Sequence, residues 1–68
     1  MKGGDVLKMK LKARRVLLNL KQKDVALMAG ISSHYLAALE NGRAHNPSIE
    51  VMKKLAAILK STPQELFF

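Results

Sequence analysis

The sequence predicts an all-α fold of five short helices, and three observations carry that expectation. Apolar residues recur at helical spacings, Ser, Thr, Asn, Gly and Pro punctuate the chain between those runs, and no stretch alternates with period two for long enough to make a strand. There is no internal repeat and no low-complexity segment. With 68 residues there is room for one small domain. The reading is a flexible tail over residues 1–5 and a single domain over 6–68. Such a domain buries only about 60% of its unfolded surface. Without cysteine it has neither a disulfide nor a thiolate zinc site, so a packed core or a partner must supply its stability.

In chain order, Gly3-Gly4 should hold off helix formation and Asp5 is an N-cap candidate. Leu7, Leu11 and Leu18 then mark one face of a first helix, placed at about residues 6–18. Asn19 ends it, because asparagine tolerates the left-handed conformation that helix C-termini use. A second helix covers Gln22 to Ala29, with Val25, Ala26 and Met28 as apolar candidates and Gly30 as its stop. Ser32 caps a third, Ser33 to Asn41, closed by Gly42. Pro47-Ser48 opens a fourth, whose Ile49, Val51, Met52, Leu55, Ala56, Ile58 and Leu59 form a broad apolar face. Thr62-Pro63-Gln64-Glu65 is a capping box with proline at the first helical position, and it starts a short fifth helix ending in Leu66, Phe67 and Phe68.

The net charge is +7, of which +6 lies in residues 1–24. That asymmetry favours a polyanionic partner, nucleic acid or an anionic membrane, over a merely solvated basic face. Three aromatics are too few for a single-strand stacking platform. No apolar run is long enough to span a membrane and no signal-peptide core is present, so the chain reads as soluble and cytoplasmic.

Two short helices joined by about three residues around a glycine have the spacing of a helix-turn-helix. Gln22-Lys23-Asp24-Val25-Ala26-Leu27-Met28-Ala29-Gly30-Ile31-Ser32, then Tyr35-Leu36, Leu39-Glu40-Asn41-Gly42-Arg43 and Asn46-Pro47-Ser48, resemble the Cro/lambda-repressor (XRE-type) helix-turn-helix family. The resemblance spans about Leu11 to Phe67. It implies a lambda repressor-like DNA-binding domain in which Ala26, Gly30, Ile31, Leu36 and Leu39 are scaffold.

If Leu36 and Leu39 face the core, the opposite face of the third helix carries His34, Ala37, Ala38 and Asn41, with Ser33 at its edge. The resemblance makes Ser33, His34 and Ala38 the main base-edge contacts, with Ala37 beside them. Serine bonds to several bases, a histidine N–H donates to guanine, and alanine methyls pack on thymine methyls. The family often has a polar residue where Ala38 stands. Gln22 is implied as a phosphate contact, followed by Asn41, Arg43, His45 and Asn46 in the loop after the third helix. Lys21 stands where the family has a capping Ser, Thr or Asn; it forgoes about 1 kcal/mol and adds a cation. Lys10 and Arg14 are further phosphate candidates, while Lys2, Lys8 and Lys12 add steering charge. Arg15 and Glu40 match a family ion pair that pins the third helix.

The expected activity is that of a sequence-specific regulator of transcription, a repressor, acting on double-stranded DNA with the third helix in the major groove. The family dimerises around its fourth and fifth helices, and Leu66, Phe67 and Phe68 are the candidate interface, with closure of the core as the equal alternative for these apolar side chains. A two-fold homodimer implies a pseudo-palindromic operator. The alternative is a protein-interaction module of the same fold, such as an antitoxin holding a toxin, with weak base reading. No catalytic constellation, cofactor motif or metal-ligand set is legible: the acids are scattered and the two histidines lack an acidic orienter.

Overall fold

The computed structural model describes residues 3–45 and 47–68, with side chains from Lys10 onward. These residues form five helices: α1 (Gly3–Leu17), α2 (Gln22–Ala29), α3 (Ser33–Glu40), α4 (Ile49–Ile58) and α5 (Pro63–Phe67). The start of α1 differs from the expectation. It begins at Gly3, so Asp5 lies within the first turn and is not its N-cap. First-turn N–H groups have no intrahelical partner, and an acidic residue there suits the positive end of the helix dipole. Of the expected tail, Met1 and Lys2 lie outside the described residues, whereas Gly3, Gly4 and Asp5 are helical.

Four successive helices end in the same way. Asn19 (φ 58°), Gly30 (71°), Gly42 (76°) and Lys60 (54°) each take the left-handed conformation just beyond a helix. In every case two backbone bonds close the end: Asn19 N–H to Val16 and Leu20 N–H to Arg15 after α1, and Gly30 N–H to Leu27 and Ile31 N–H to Ala26 after α2. Gly42 and Arg43 donate likewise to Leu39 and Ala38, and Lys60 and Ser61 to Ala57 and Ala56. This is the Schellman arrangement, which satisfies carbonyls that a helix terminus otherwise leaves open. α3 is one residue shorter than expected, with Asn41 as its C-cap.

The starts are capped by side chains. Ser32 Oγ accepts from Tyr35 N–H, Ser48 Oγ from Val51 N–H, and Thr62 Oγ1 from Glu65 N–H. Lys21 heads α2 with no side-chain cap. The Thr62 hydroxyl also lies 3.4 Å from Glu65 Oε1, so the expected box is held mainly from the Thr62 side.

α1 packs against α3 and α5, α2 against α3 and α4, and α4 against α5. The core draws on every helix: Leu11, Val25, Ala26, Ala29, Leu36, Leu39, Leu55, Ala56, Leu59 and Leu66. Ala26 and Ala29 are fully enclosed, which lets α2 approach its neighbours closely. Leu66 was an expected interface residue and is instead a core residue, 4% exposed. One turn into α5, it faces α1 and α4, and burying it there removes more apolar surface from water than a place at the rim would. Phe67 packs partly against the same core, and Phe68 stands free.

Candidate nucleic-acid interface

The turn between α2 and α3 is built from Gly30, Ile31 and Ser32. Gly30 reverses the chain in the left-handed region, Ile31 lies half-buried against the core, and Ser32 caps α3. With Leu36 and Leu39 turned inward, Ser33, His34 and Asn41 are exposed and Ala37 and Ala38 half-buried. Tyr35, the only tyrosine, packs against the core. The exposed face of α3 is therefore small and uncharged; the helix's one ionic residue, Glu40, points inward.

Glu40 is 4% exposed and fully engaged. Arg15 Nε donates to its Oε2 at 2.6 Å and Arg15 Nη2 to its Oε1 at 3.2 Å. Gln22 Nε2 donates to Oε1 at 3.0 Å, and Arg15 Nη1 donates to the Leu20 carbonyl at 2.9 Å. Among the described residues no buried side-chain polar atom lacks a partner, so this network is a satisfied one. Its geometry ties α1, the loop before α2, and the N-terminus of α2 to the last turn of α3. As a result Gln22, at the start of α2, lies within hydrogen-bond distance of Glu40 at the end of α3.

The candidate phosphate contacts divide accordingly. Lys21, Asn41, Arg43 and His45 are exposed, and Lys10 and Gln22 are half-buried. Gln22 uses one amide hydrogen on Glu40 and keeps the other. Asn46 lies outside the described residues. Arg14 has a different task from the one expected. Its Nε donates to the Leu59 carbonyl and its Nη2 to the Lys60 carbonyl, both at 2.8 Å. It thus closes the C-terminus of α4, where carbonyls point outward and attract a cation. Sequence reasoning missed this because Arg14 and Arg15 are adjacent, chemically identical, and separated only by the 100° turn of α1.

The helix-turn-helix family profile matches residues 11–66, from the middle of α1 to the last core leucine of α5. The chain belongs to the Cro/lambda-repressor-like (XRE-type) helix-turn-helix family. It is also 34% identical over 61 residues to an uncharacterized HTH-type transcriptional regulator of Methanocaldococcus jannaschii, covering 90% of this chain and 91% of that protein. No solved structure matches significantly. Family membership makes α2 and α3 the helix-turn-helix and the chain a DNA-binding regulator. No helix among the described residues is long and apolar enough to cross a membrane.

Proposed function

We propose that this helix-turn-helix protein is a sequence-specific repressor that binds double-stranded DNA as a homodimer, with α3 in the major groove. The observation that carries the reading is the anchored outer face of α3: Ser33, His34 and Asn41 exposed with Ala37 and Ala38 half-buried between them, and Arg15 and Gln22 holding Glu40 on the inside. A helix fixed at its far end by a buried network can present its first turn to base edges at a constant angle. Ser33 and His34 supply the hydrogen bonds, and Ala37 and Ala38 contact thymine methyls. Lys21, Gln22, Asn41, Arg43, His45 and Asn46 position the module on the phosphates, with Lys10 at longer range. Arg14 is left out of that set, since its guanidinium closes α4.

The described residues extend 31 Å along their longest axis, and α3 is the one helix assigned to reading. A second copy is needed to reach a second major groove about 34 Å away. Phe67 and Phe68 are the proposed contact between copies, and the cytoplasm is the proposed place of action. Because the α3 face offers few hydrogen-bonding groups, the second reading is a protein-interaction module, for example an antitoxin, with weak base discrimination.

Selection of bound duplexes from a random pool, followed by salt titration on the winner and on a random duplex, tests both. The repressor reading expects a pseudo-palindromic winner, a large affinity ratio between winner and random duplex, and a steep salt dependence. Steep dependence without a preferred sequence, or no binding, favours the interaction module.

A further inference from the structure

Ala13, Val16 and Leu17 form an exposed apolar strip on α1, with Val16 58% and Leu17 71% exposed. At 100° per residue, Leu11, Arg14, Arg15 and Leu18 share the inward half of the helix. There Leu11 meets the core, Arg14 the end of α4, and Arg15 the end of α3. Ala13, Val16 and Leu17 fall on the other half. Because α1 packs on α3 and α5, this outer strip faces away from α3. A ligand seated on it leaves the exposed face of α3 uncovered.

Every charged side chain described on α1 is a cation. Lys12 precedes Val16 by one turn and Lys10 precedes Leu17 by two, so each continues the strip toward the N-terminus. Residues 6–23 contain no Asp or Glu. A second copy laid across the strip would oppose lysine to lysine, which is unfavourable, whereas carboxylates on the other side would pair with both. Three apolar side chains bordered by cations make a contact of transient size, suited to the convex face of another helix.

We propose that the outer face of α1 docks an amphipathic helix of another protein, apolar along its contact line and bordered by Glu or Asp. The site lies off the α3 face and shares only Lys10 with the proposed phosphate contacts, and its test contains no DNA. The probe is a synthetic amphipathic helix with leucines on one face and glutamates along its borders; a counterpart carries lysines in place of the glutamates. Titrated into the labelled full chain, the glutamate peptide is expected to shift the amide resonances of Ala13 to Leu17 and to leave those of Ser33 to Ala38 in place.

Val16→Ser with Leu17→Gln, both exposed positions, is expected to weaken binding about tenfold. Lys12→Glu is expected to weaken the glutamate peptide and strengthen the lysine one, which separates charge recognition from loss of fold. The proposal is overturned if the two peptides bind the unaltered chain equally, or if the shifts gather on α3. It is also overturned if vesicles of anionic phospholipid perturb the strip while the glutamate peptide does not, or if the strip instead mediates concentration-dependent self-association.

Discussion

Arg15 joins three segments through one side chain, and the energetics of buried ions say what its loss does. Removing one partner of a buried, hydrogen-bonded pair leaves the other charge uncompensated, at about 3–5 kcal/mol. Arg15→Ala is therefore expected to lower stability by about 3 kcal/mol and to weaken duplex binding as a consequence, since Glu40 and the last turn of α3 lose their anchor. Urea denaturation and a duplex titration on the same variant check this; lost affinity at an unchanged urea midpoint would make Arg15 a DNA contact instead. His34 and Arg43 differ in kind. His34→Ala should cost about 1–3 kcal/mol on the preferred duplex and little on random DNA. Arg43→Ala should weaken both alike and flatten the salt slope by about one. At this scale the sequence was legible for Arg15, whose partner Glu40 lay in a recognised motif, and illegible for Arg14. The partners of Arg14 are backbone carbonyls at Leu59 and Lys60, and carbonyls carry no residue signature.

At the scale of elements, helix ends explain both the successes and the misses. Asn19, Gly30 and Gly42 announced their helix ends because these residue types reach positive φ at low cost. Lys60 sits in the same conformation at the same point of the same motif, yet lysine has no such preference. What holds it there is tertiary: Arg14 takes up the Leu59 and Lys60 carbonyls, and Leu59 and Leu66 on either side are buried. Lys60→Gly is expected to raise stability by about 0.5–1 kcal/mol, read as a higher urea midpoint with unchanged slope. An unchanged or lower midpoint would mean that Lys60 is unstrained. The start of α1 was misplaced for a related reason. Gly3-Gly4 suggests a break, yet the cost of glycine in a helix is backbone entropy of about 0.5–1 kcal/mol each, which disfavours a helical turn without forbidding it.

Across the whole molecule, the core decides which C-terminal residues can meet a partner. Leu66 is sealed between helices, Phe67 lies partly against them, and Phe68 is 72% exposed. Deleting Phe68 should leave the melting temperature close to that of the full chain, reduce the sedimentation mass, and weaken binding to a two-half-site duplex. If mass and affinity both stay the same, Phe68 is not at the interface. Charge acts at this scale too. Nearly all the excess lies in the first third of the chain, while the exposed face of α3 is uncharged. On the proposed reading, long-range attraction to DNA would come from α1 and the start of α2, and discrimination between sequences would fall to a few small polar and methyl groups.

The sequence by itself determined the five helices, the turn at Gly30, the caps at Ser32 and Thr62, and the family, because each rests on interactions between near neighbours in the chain. Periodicity and capping are local, and a motif preserves their order. Only the tertiary structure decided that Arg14 closes α4, that Gln22 shares Glu40 with the expected Arg15, that Leu66 belongs to the core, and that Val16 and Leu17 face outward. Those outcomes depend on where a side chain's direction meets another element, and a difference of 100° along one helix is enough to send two identical residues to different partners.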